Sequence, residues 1–344
     1  MKLKFLLIFV LIYSINLTAQ EFKSAVEYLN FIEKEQTTIS KSTWKYTSAV
    51  AHSKSARRID NTRKQLIKSI DAAKTKISNL KDGYKGDVEY RDQVIQFLDI
   101  SKININEEYG KLINMQEVAE QSYDAMEAYL LMRDLINEKL DAENEKVENG
   151  FRSFALKYNI TIGNGTSELS EKIKLSNDVF DYHTALYLIF FKANFTDINL
   201  SQSIENKDLN TIQQNANTLI QYADEGLEKL KGIKPYKGDS SVIMATKKAL
   251  EFYEKEAQQY VPKIVSFLMF NDKFENAKKL MESKSAKDRT KEEIDNYNTL
   301  VNQVNKEIDN YNKINNTNVQ EKNNIIDSWN NAGENFISSH VPVD

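Results

Sequence analysis

Turn-forming residues are unusually scarce in this chain: glycine occurs 10 times and proline 3 times among 344 residues. Sandwiches, barrels and doubly wound sheets need frequent turns, which draw heavily on these two residue types. Apolar residues instead recur at helical spacing along almost the whole chain. The sequence therefore predicts an all-α fold.

An internal repeat divides this predicted helical chain into two parts. Residues 64–87 recur as residues 217–239, an offset of about 152 residues, and both segments end in Tyr-Lys-Gly-Asp. Residues 149–154 resemble residues 331–336 at the larger offset of about 182 residues, so the second copy has about 30 more residues. We interpret the repeat as two tandem modules from an internal duplication.

Each module is predicted to be a four-helix bundle. Module 1 covers residues 20–160, module 2 covers residues 167–344, and a linker at residues 161–166 joins them. Long helices that are joined by short loops pack as antiparallel neighbours, which is the arrangement of an up-down bundle. The predicted helices are 22–50, 53–81, 88–113 and 115–157 in module 1, and 168–196, 203–231, 240–283 and 289–337 in module 2.

The repeated Tyr-Lys-Gly-Asp segments are predicted to be turns between helices. Gly86 and Gly238 can adopt the positive φ that a tight turn requires. Asp87 and Asp239 are placed to cap the helix that follows. Duplication alone accounts for the recurrence, so we interpret these segments as structural rather than functional.

A coiled-coil seam accounts for the extra length of module 2. Apolar residues alternate at spacings of three and four from Ile294 to Tyr311, and Glu-Ile-Asp-Asn-Tyr-Asn occurs at residues 293–298 and again at residues 307–312, two heptads later. We predict a helical hairpin over about residues 270–312, each arm of which extends the module by about 22 Å.

The N-terminus has the layout of a secretory signal peptide. Lys2 and Lys4 flank the start of an apolar run over residues 3–13, and cleavage is expected near Ala19. The run is too short to span a bilayer, and no later stretch reaches the roughly 20 apolar residues that a membrane helix needs. We predict a signal peptide at residues 1–19 and an exported mature chain without a transmembrane segment, in the periplasm or at the cell surface.

The rest of the composition excludes several chemistries and partners. There is no cysteine, so the chain has no disulfide, thiolate metal site, thiol nucleophile or lipid anchor on an N-terminal cysteine. Loss of Lys2 and Lys4 with the signal peptide changes 46 basic residues to 44, against 50 acidic residues, for a net charge of −6. A nucleic-acid binder normally has a basic face and a high pI, so no nucleic-acid partner is expected.

The motifs of helical enzymes are missing as well. A di-metal carboxylate bundle needs Glu-x-x-His on two helices, but Ala49, Phe180 and Ile337 precede the three histidines at that spacing. There is no Gly-x-Ser-x-Gly nucleophile elbow. His183 lies in an aromatic-rich segment, where a partly buried core residue is a better interpretation than a catalytic base. We predict no enzymatic activity, no cofactor and no metal site.

Two groups of basic residues are the candidate binding surfaces. Arginine and lysine side chains suit carboxylate, phosphate or glycan oxygens, although an ordinary solvated helix face has the same composition. The partner would be a protein, or a polyanion or glycan of the cell envelope. The candidate residues are Lys54, Arg57, Arg58 and Arg63 in the basic stretch, and Lys284, Lys287 and Arg289 at the tip of the predicted hairpin.

The stretch from Trp44 to Arg58, the repeated Tyr-Lys-Gly-Asp turn and the exported layout together resemble a family of uncharacterised, helical surface proteins from Bacteroidetes and leptospires. That family has no established function. The resemblance therefore implies a helical fold and a place in the cell envelope, but no activity.

We expect a non-catalytic exported protein that binds or scaffolds through its helical surfaces. An alternative is a helical receptor for a small apolar or anionic ligand, which would use the aromatic segments 180–195 and 267–274 if they leave a pocket instead of filling the core. The oligomeric state stays open, because a coiled-coil seam can close within one chain or between two chains.

Overall fold

The computed structural model describes residues 22–121, 123–163 and 167–343, with the backbone alone over residues 107–137. The predicted signal peptide and the last part of the predicted linker lie outside the described residues. The described residues form nine α-helices and one π-helical turn, with no β-strand beyond isolated bridge pairs. The all-α prediction is confirmed.

Each predicted helix is present, with ends that differ by fewer than ten residues from the prediction. The predicted helix at residues 240–283 is divided in the structure into two α-helices with a π-helical turn between them. None of the described helices contains a stretch long and apolar enough to cross a bilayer. The helices are α1 (Ala25–His52), α2 (Ala56–Ser78), α3 (Glu89–Gln121), α4 (Tyr123–Lys157), α5 (Glu168–Glu205), α6 (Leu209–Gly232), α7 (Ser241–Lys255), the π-helical turn (Glu256–Tyr260), α8 (Val261–Ser283) and α9 (Lys291–His340).

The chain divides into two compact units. Helices α1 to α4 each contribute residues to both units, whereas α5 to α9 lie entirely in unit 2. The predicted division into tandem modules stays a prediction, because this grouping follows different boundaries. Among the described residues, unit 1 contains 22–43, 60–108 and 134–163, and unit 2 contains 44–59, 109–121, 123–133 and 167–343.

The core of unit 2 forms around Trp329 of α9. Its indole ring stacks on Phe190 of α5 with ring centroids 4.3 Å apart, and its Nε1 donates a hydrogen bond to Oγ1 of buried Thr246 on α7 at 3.0 Å. A buried tryptophan is stable in this position because its polar N–H has a partner. Trp329 thus packs α9 against both α5 and α7.

Three of the helices in unit 2, α5, α6 and α9, begin at residues whose side chains cap them. Asp208 accepts hydrogen bonds from the backbone N–H groups at the start of α6, and Ser167 does the same for α5. Thr290 and Glu293 form a capping box at the start of α9. Such caps satisfy N–H groups that have no partner inside the helix.

Both Tyr-Lys-Gly-Asp turns have the same backbone geometry. In unit 2, Tyr236 N donates to Asp239 O at 3.1 Å and Asp239 N donates to Tyr236 O at 2.9 Å. Lys237 and Gly238 have φ values of 50° and 89°, which is the left-handed conformation of a type I′ turn. The predicted positive φ is confirmed. The N-cap of α7 is Ser240 rather than Asp239, although the Asp239 carboxylate still accepts a hydrogen bond from the backbone N–H of Ser241 at 2.7 Å.

Each turn lies beside a cluster of four rings inside its own unit. The ring centroids are 4.6 to 6.1 Å apart in unit 1 and 4.8 to 5.5 Å apart in unit 2. The same connectivity recurs at the offsets found in the sequence repeat, which supports the duplication. The clusters consist of Tyr28, Tyr84, Phe154 and Tyr158 in unit 1, and of Tyr182, Tyr236, Phe336 and His340 in unit 2.

Candidate functional site

A buried ionic cluster in unit 2 is the main candidate for a functional site. It consists of Asp197 on α5, Glu256 in the π-helical turn and Lys322 on α9. The side chains of Asp197 and Glu256 are only 3% and 1% exposed, and that of Lys322 is 15% exposed. Charged side chains are rarely buried to this extent, because the loss of hydration is costly.

Lys322 holds the two carboxylates together. Its Nζ lies 2.6 Å from Asp197 Oδ1 and 3.0 Å from Glu256 Oε1, and it donates to Ser201 Oγ at 3.1 Å. Asn318, one helical turn before Lys322, donates from Nδ2 to Glu256 Oε1 at 2.5 Å. One ammonium group therefore faces two carboxylates, and the cluster carries a surplus negative charge when all three groups are ionised.

A proton relieves this surplus charge. Burial raises the pKa of Asp197, the charge of Glu256 raises it further, and the attraction to Lys322 offsets only part of the rise, so the pKa reaches about 8. Burial lowers the pKa of Lys322, but the charges of Asp197 and Glu256 outweigh burial and keep that pKa above its ordinary value. At neutral pH the carboxyl group of Asp197 therefore retains its proton, and Lys322 stays charged.

The π-helical turn begins at Glu256. One side-chain oxygen of Glu256 and one of the adjoining Asn318 have no hydrogen-bond partner. Glu256 Oε2 and Asn318 Oδ1 are buried and accept no hydrogen bond from the protein. Buried acceptors without a donor are destabilising, and π-helical turns are frequent at functional sites.

A cleft of about 330 Å³ between α5 and α9 adjoins this cluster. Asp197 and Lys322 form part of its wall, together with the polar side chains of Ser201 and Glu205. Ile198 contributes apolar surface. Most of the residues that line the cleft are polar or charged, and Ile326 is the other apolar one, so the cleft offers several hydrogen-bonding and charged groups to a small ligand.

The predicted basic stretch is only partly available for binding. Lys54 is exposed and lies 3.0 Å from Glu334, within unit 2. Arg57 and Arg58 are exposed in the first turn of α2. A solvent-exposed pair such as Lys54 and Glu334 contributes little stability and can exchange partners.

Arg63, by contrast, is engaged inside unit 1. Its side chain is 12% exposed, and its guanidinium donates to Asn106 Oδ1 at 3.0 Å and to Asp60 Oδ1 at 3.1 Å. These contacts hold α2 against α3, so Arg63 is better described as a packing residue than as part of a contact surface. The helical spacing alone could not distinguish the two roles.

The residues of the hairpin tip differ in the same way. Lys284 donates to Glu293 Oε1 at 2.5 Å, and Arg289 Nε donates to the backbone oxygen of Lys284 at 3.2 Å. These two side chains close the loop between α8 and α9. Lys287 is exposed in the loop between α8 and α9.

No group of three or more histidine, aspartate or glutamate side chains is arranged to hold a metal ion within the part of the chain that the structure describes. His183 packs against Trp329 with ring centroids 5.6 Å apart. Burial lowers the pKa of His183 to about 4, so the imidazole is neutral at pH 7. His183 is thus partly buried beside Trp329, in agreement with the partly buried core residue predicted from its aromatic surroundings.

The sequence analysis did not identify the buried ionic cluster, although the sequence contains a signal for it. Each member occupies a position where the apolar spacing of its helix calls for a core residue. Asp197 lies between Ala193 and Leu200 among the buried positions of α5. On α9, Lys322 lies three residues before Ile325, which lies four residues before Trp329. Charged residues at core positions are informative because they are rare.

Comparison of the chain with protein-family models, with curated proteins and with solved structures finds no match in any of the three.

Proposed function

We propose that the protein is a non-catalytic, exported component of the cell envelope that binds a partner through its helical surfaces, with the tip of the α8–α9 hairpin as the contact region. The observation that carries this proposal is the construction of the hairpin arm, which we define as residues 269–317. The structure describes the whole arm, and no residue in it is buried. Only Tyr311 and Ile314 of the arm are among the partly buried residues that pack against the core, so the arm contributes little to the core and is available for another role.

The charge at the end of the arm favours an anionic partner. Residues 278–293 contain six lysine or arginine residues and four acidic residues, a local net charge of +2, whereas the full chain has a net charge of −4. Lys287 is exposed there. A basic tip on an acidic protein would bind an acidic protein surface or an envelope polyanion or glycan through its charge.

An exchange of the tip loop tests this proposal. Residues 284–290 would be replaced by a glycine-serine loop of equal length, and binding to isolated envelope fractions would be measured by co-sedimentation. We expect binding to fall at least several-fold and the remaining binding to lose its sensitivity to salt, because the screened interaction is gone. Lys229→Glu, an exposed charge change on α6, is the control and should bind normally. Unchanged binding after the exchange would refute the tip as the contact.

A receptor for a small ligand is the second candidate function, and the cleft beside the ionic cluster favours it. The charge of Lys322 is balanced by Asp197 and Glu256, and Glu205 also lines the cleft. The cleft therefore favours a cationic or uncharged polar ligand over an anion. Thermal unfolding with butylammonium and with butyrate at equal ionic strength tests this, since a ligand that binds the folded state raises the midpoint. Stabilisation by butyrate alone would contradict the charge argument.

A further inference from the structure

The seam of α9 has two rows of apolar residues, and α8 covers only one of them. Tyr297 and Tyr311 belong to the covered row, in which Tyr297 stacks on Phe274 with ring centroids 6.2 Å apart and Tyr311 stacks on Phe267 at 4.2 Å. These two pairs fix the face of α9 that meets α8. The other row of the seam must then face elsewhere.

The second row, which we call the exposed stripe, consists of Ile294, Val301 and Ile308, of which Ile294 is partly buried. Val301 and Ile308 are 38% and 37% exposed, although both are large and apolar. The three residues are spaced by seven, which is the repeat of a left-handed coiled coil. A partner that covers the exposed stripe along its length must therefore itself be an α-helix.

We propose that a second copy of this chain supplies that helix, so that two hairpin arms pair in parallel along their exposed stripes.

The residues beside the exposed stripe favour a second copy. Asn298, Asn305 and Asn312 repeat at the flanking heptad position, and all three are exposed. On a two-fold axis each residue lies near its own copy, so charged flanks would repel each other. Asparagine is uncharged and both donates and accepts hydrogen bonds, which allows each flank to pair with its own copy.

The orientation follows from the same asparagines. Only a parallel pair places Asn298, Asn305 and Asn312 each beside its own copy. The parallel orientation also places the two tips side by side.

The chain contains no cysteine, so single cysteine substitutions report contacts without background. We would introduce Val301→Cys and Ile308→Cys separately into the chain from residue 20 onward, and Gln303→Cys on the opposite face of α9 as the control. Under mild oxidation, the first two variants should each form covalent dimers about tenfold more readily than the control, because only they face their own copy across the axis.

Sedimentation equilibrium of the unmodified chain supplies the second measurement. We expect a dimer that dissociates on dilution, and a dissociation constant that is raised at least about tenfold in Val301→Asn/Ile308→Asn, since amides replace apolar contacts. Circular dichroism would confirm that this variant is still folded, as expected for exposed positions.

A monomeric chain at 100 μM, together with no cross-linking above the control, would overturn the proposal. Cross-links between Ile294→Cys and Ile308→Cys chains, without any Ile308→Cys homodimer, would overturn the parallel orientation. The proposed function does not depend on either result. A chain that stays monomeric and still requires its tip loop for envelope binding would retain the function and lose only the pairing.

Discussion

At the scale of single residues, His183 makes the folded state sensitive to acid. Burial lowers its pKa to about 4, whereas an unfolded histidine has a pKa near 6.5. Below pH 6.5 the imidazole binds a proton in the unfolded chain but stays unprotonated in the folded chain. The free energy of unfolding therefore falls as the pH falls toward 4. We expect this one residue to account for a loss of about 2 kcal/mol at pH 5 relative to pH 7.

His183→Phe tests this prediction because it retains a ring beside Trp329 but cannot be protonated. Urea unfolding of both proteins at pH 7 and pH 5 gives the difference, and all other titrating groups contribute equally to the two proteins. An equal loss of stability in both proteins would show that folding does not lower the pKa of His183.

Asp197 gives the opposite dependence on pH. Its pKa is raised to about 8, first by burial and then by the charge of Glu256. Because the folded state holds a proton that the unfolded state has lost, the free energy of unfolding falls as the pH rises from about 4 to about 8. Asp197→Asn resembles the protonated carboxyl group and should remove this part of the pH dependence.

The measurement is the free energy of unfolding between pH 6 and pH 9. Relative to the unmodified chain, Asp197→Asn should gain stability as the pH rises from 6 to about 8, and the difference should level off toward pH 9. Asp208→Asn is a useful control, since that carboxylate is exposed and caps α6, so its loss should not change the slope above pH 6. Parallel curves for the unmodified chain and Asp197→Asn would contradict a raised pKa of Asp197 in the folded state.

At the scale of elements, the turn of unit 1 depends on two glycines for different reasons. Gly86 has a φ of 86°, and a Cβ there would meet no atom within 4 Å, so Gly86→Ala should cost only the backbone strain of about 1–2 kcal/mol. Gly83 has a φ of 56°, and a Cβ there would also collide with the backbone oxygen of Asp87.

Gly83→Ala should therefore destabilise the chain clearly more than Gly86→Ala in thermal or urea unfolding. Gly232→Ala is the control, since a Cβ there meets nothing and its φ is not positive; this change should be close to neutral. Equal losses for Gly83→Ala and Gly86→Ala would mean that the collision with Asp87 is relieved by movement of the turn.

The helices could be predicted from the sequence because apolar spacing and loop residues mark them directly. The positive φ of Gly86 and Gly238 was also predictable, because a tight turn between helices often requires a conformation that glycine adopts readily. The π-helical turn was not, because a single extra residue in a helix leaves the apolar pattern of α7 and α8 almost unchanged.

The site was less predictable than the helices. The roles of Arg63 and Lys284 depend on partners on other elements, namely Asn106 and Glu293, and helical spacing does not reveal such contacts. The grouping of residues 44–59 with unit 2 likewise depends on packing between segments far apart in the sequence. Only the charged residues at core positions could have been recognised from the helical spacing of the sequence.

At the scale of the whole molecule, the positions of the two tryptophans allow the units to be followed separately. Trp44 and Trp329 are the only tryptophans of the chain, and both belong to unit 2. Tryptophan fluorescence therefore reports the unfolding of unit 2, whereas circular dichroism reports the helices of both units. A pair of equivalent substitutions in the two ring clusters can use this difference.

Phe154 in unit 1 and Phe336 in unit 2 are buried members of the two clusters, 4% and 1% exposed. Replacement of a buried phenylalanine by alanine costs about 3–5 kcal/mol. If the duplication produced two separately stable units, Phe336→Ala should lower the fluorescence midpoint. Phe154→Ala should lower the unfolding midpoint of unit 1 in circular dichroism and leave the fluorescence midpoint unchanged. Leu156→Ala changes an exposed neighbour and should shift neither midpoint. Equal shifts of both signals in Phe154→Ala would mean that α1 to α4, which contribute to both units, make the molecule unfold as one body.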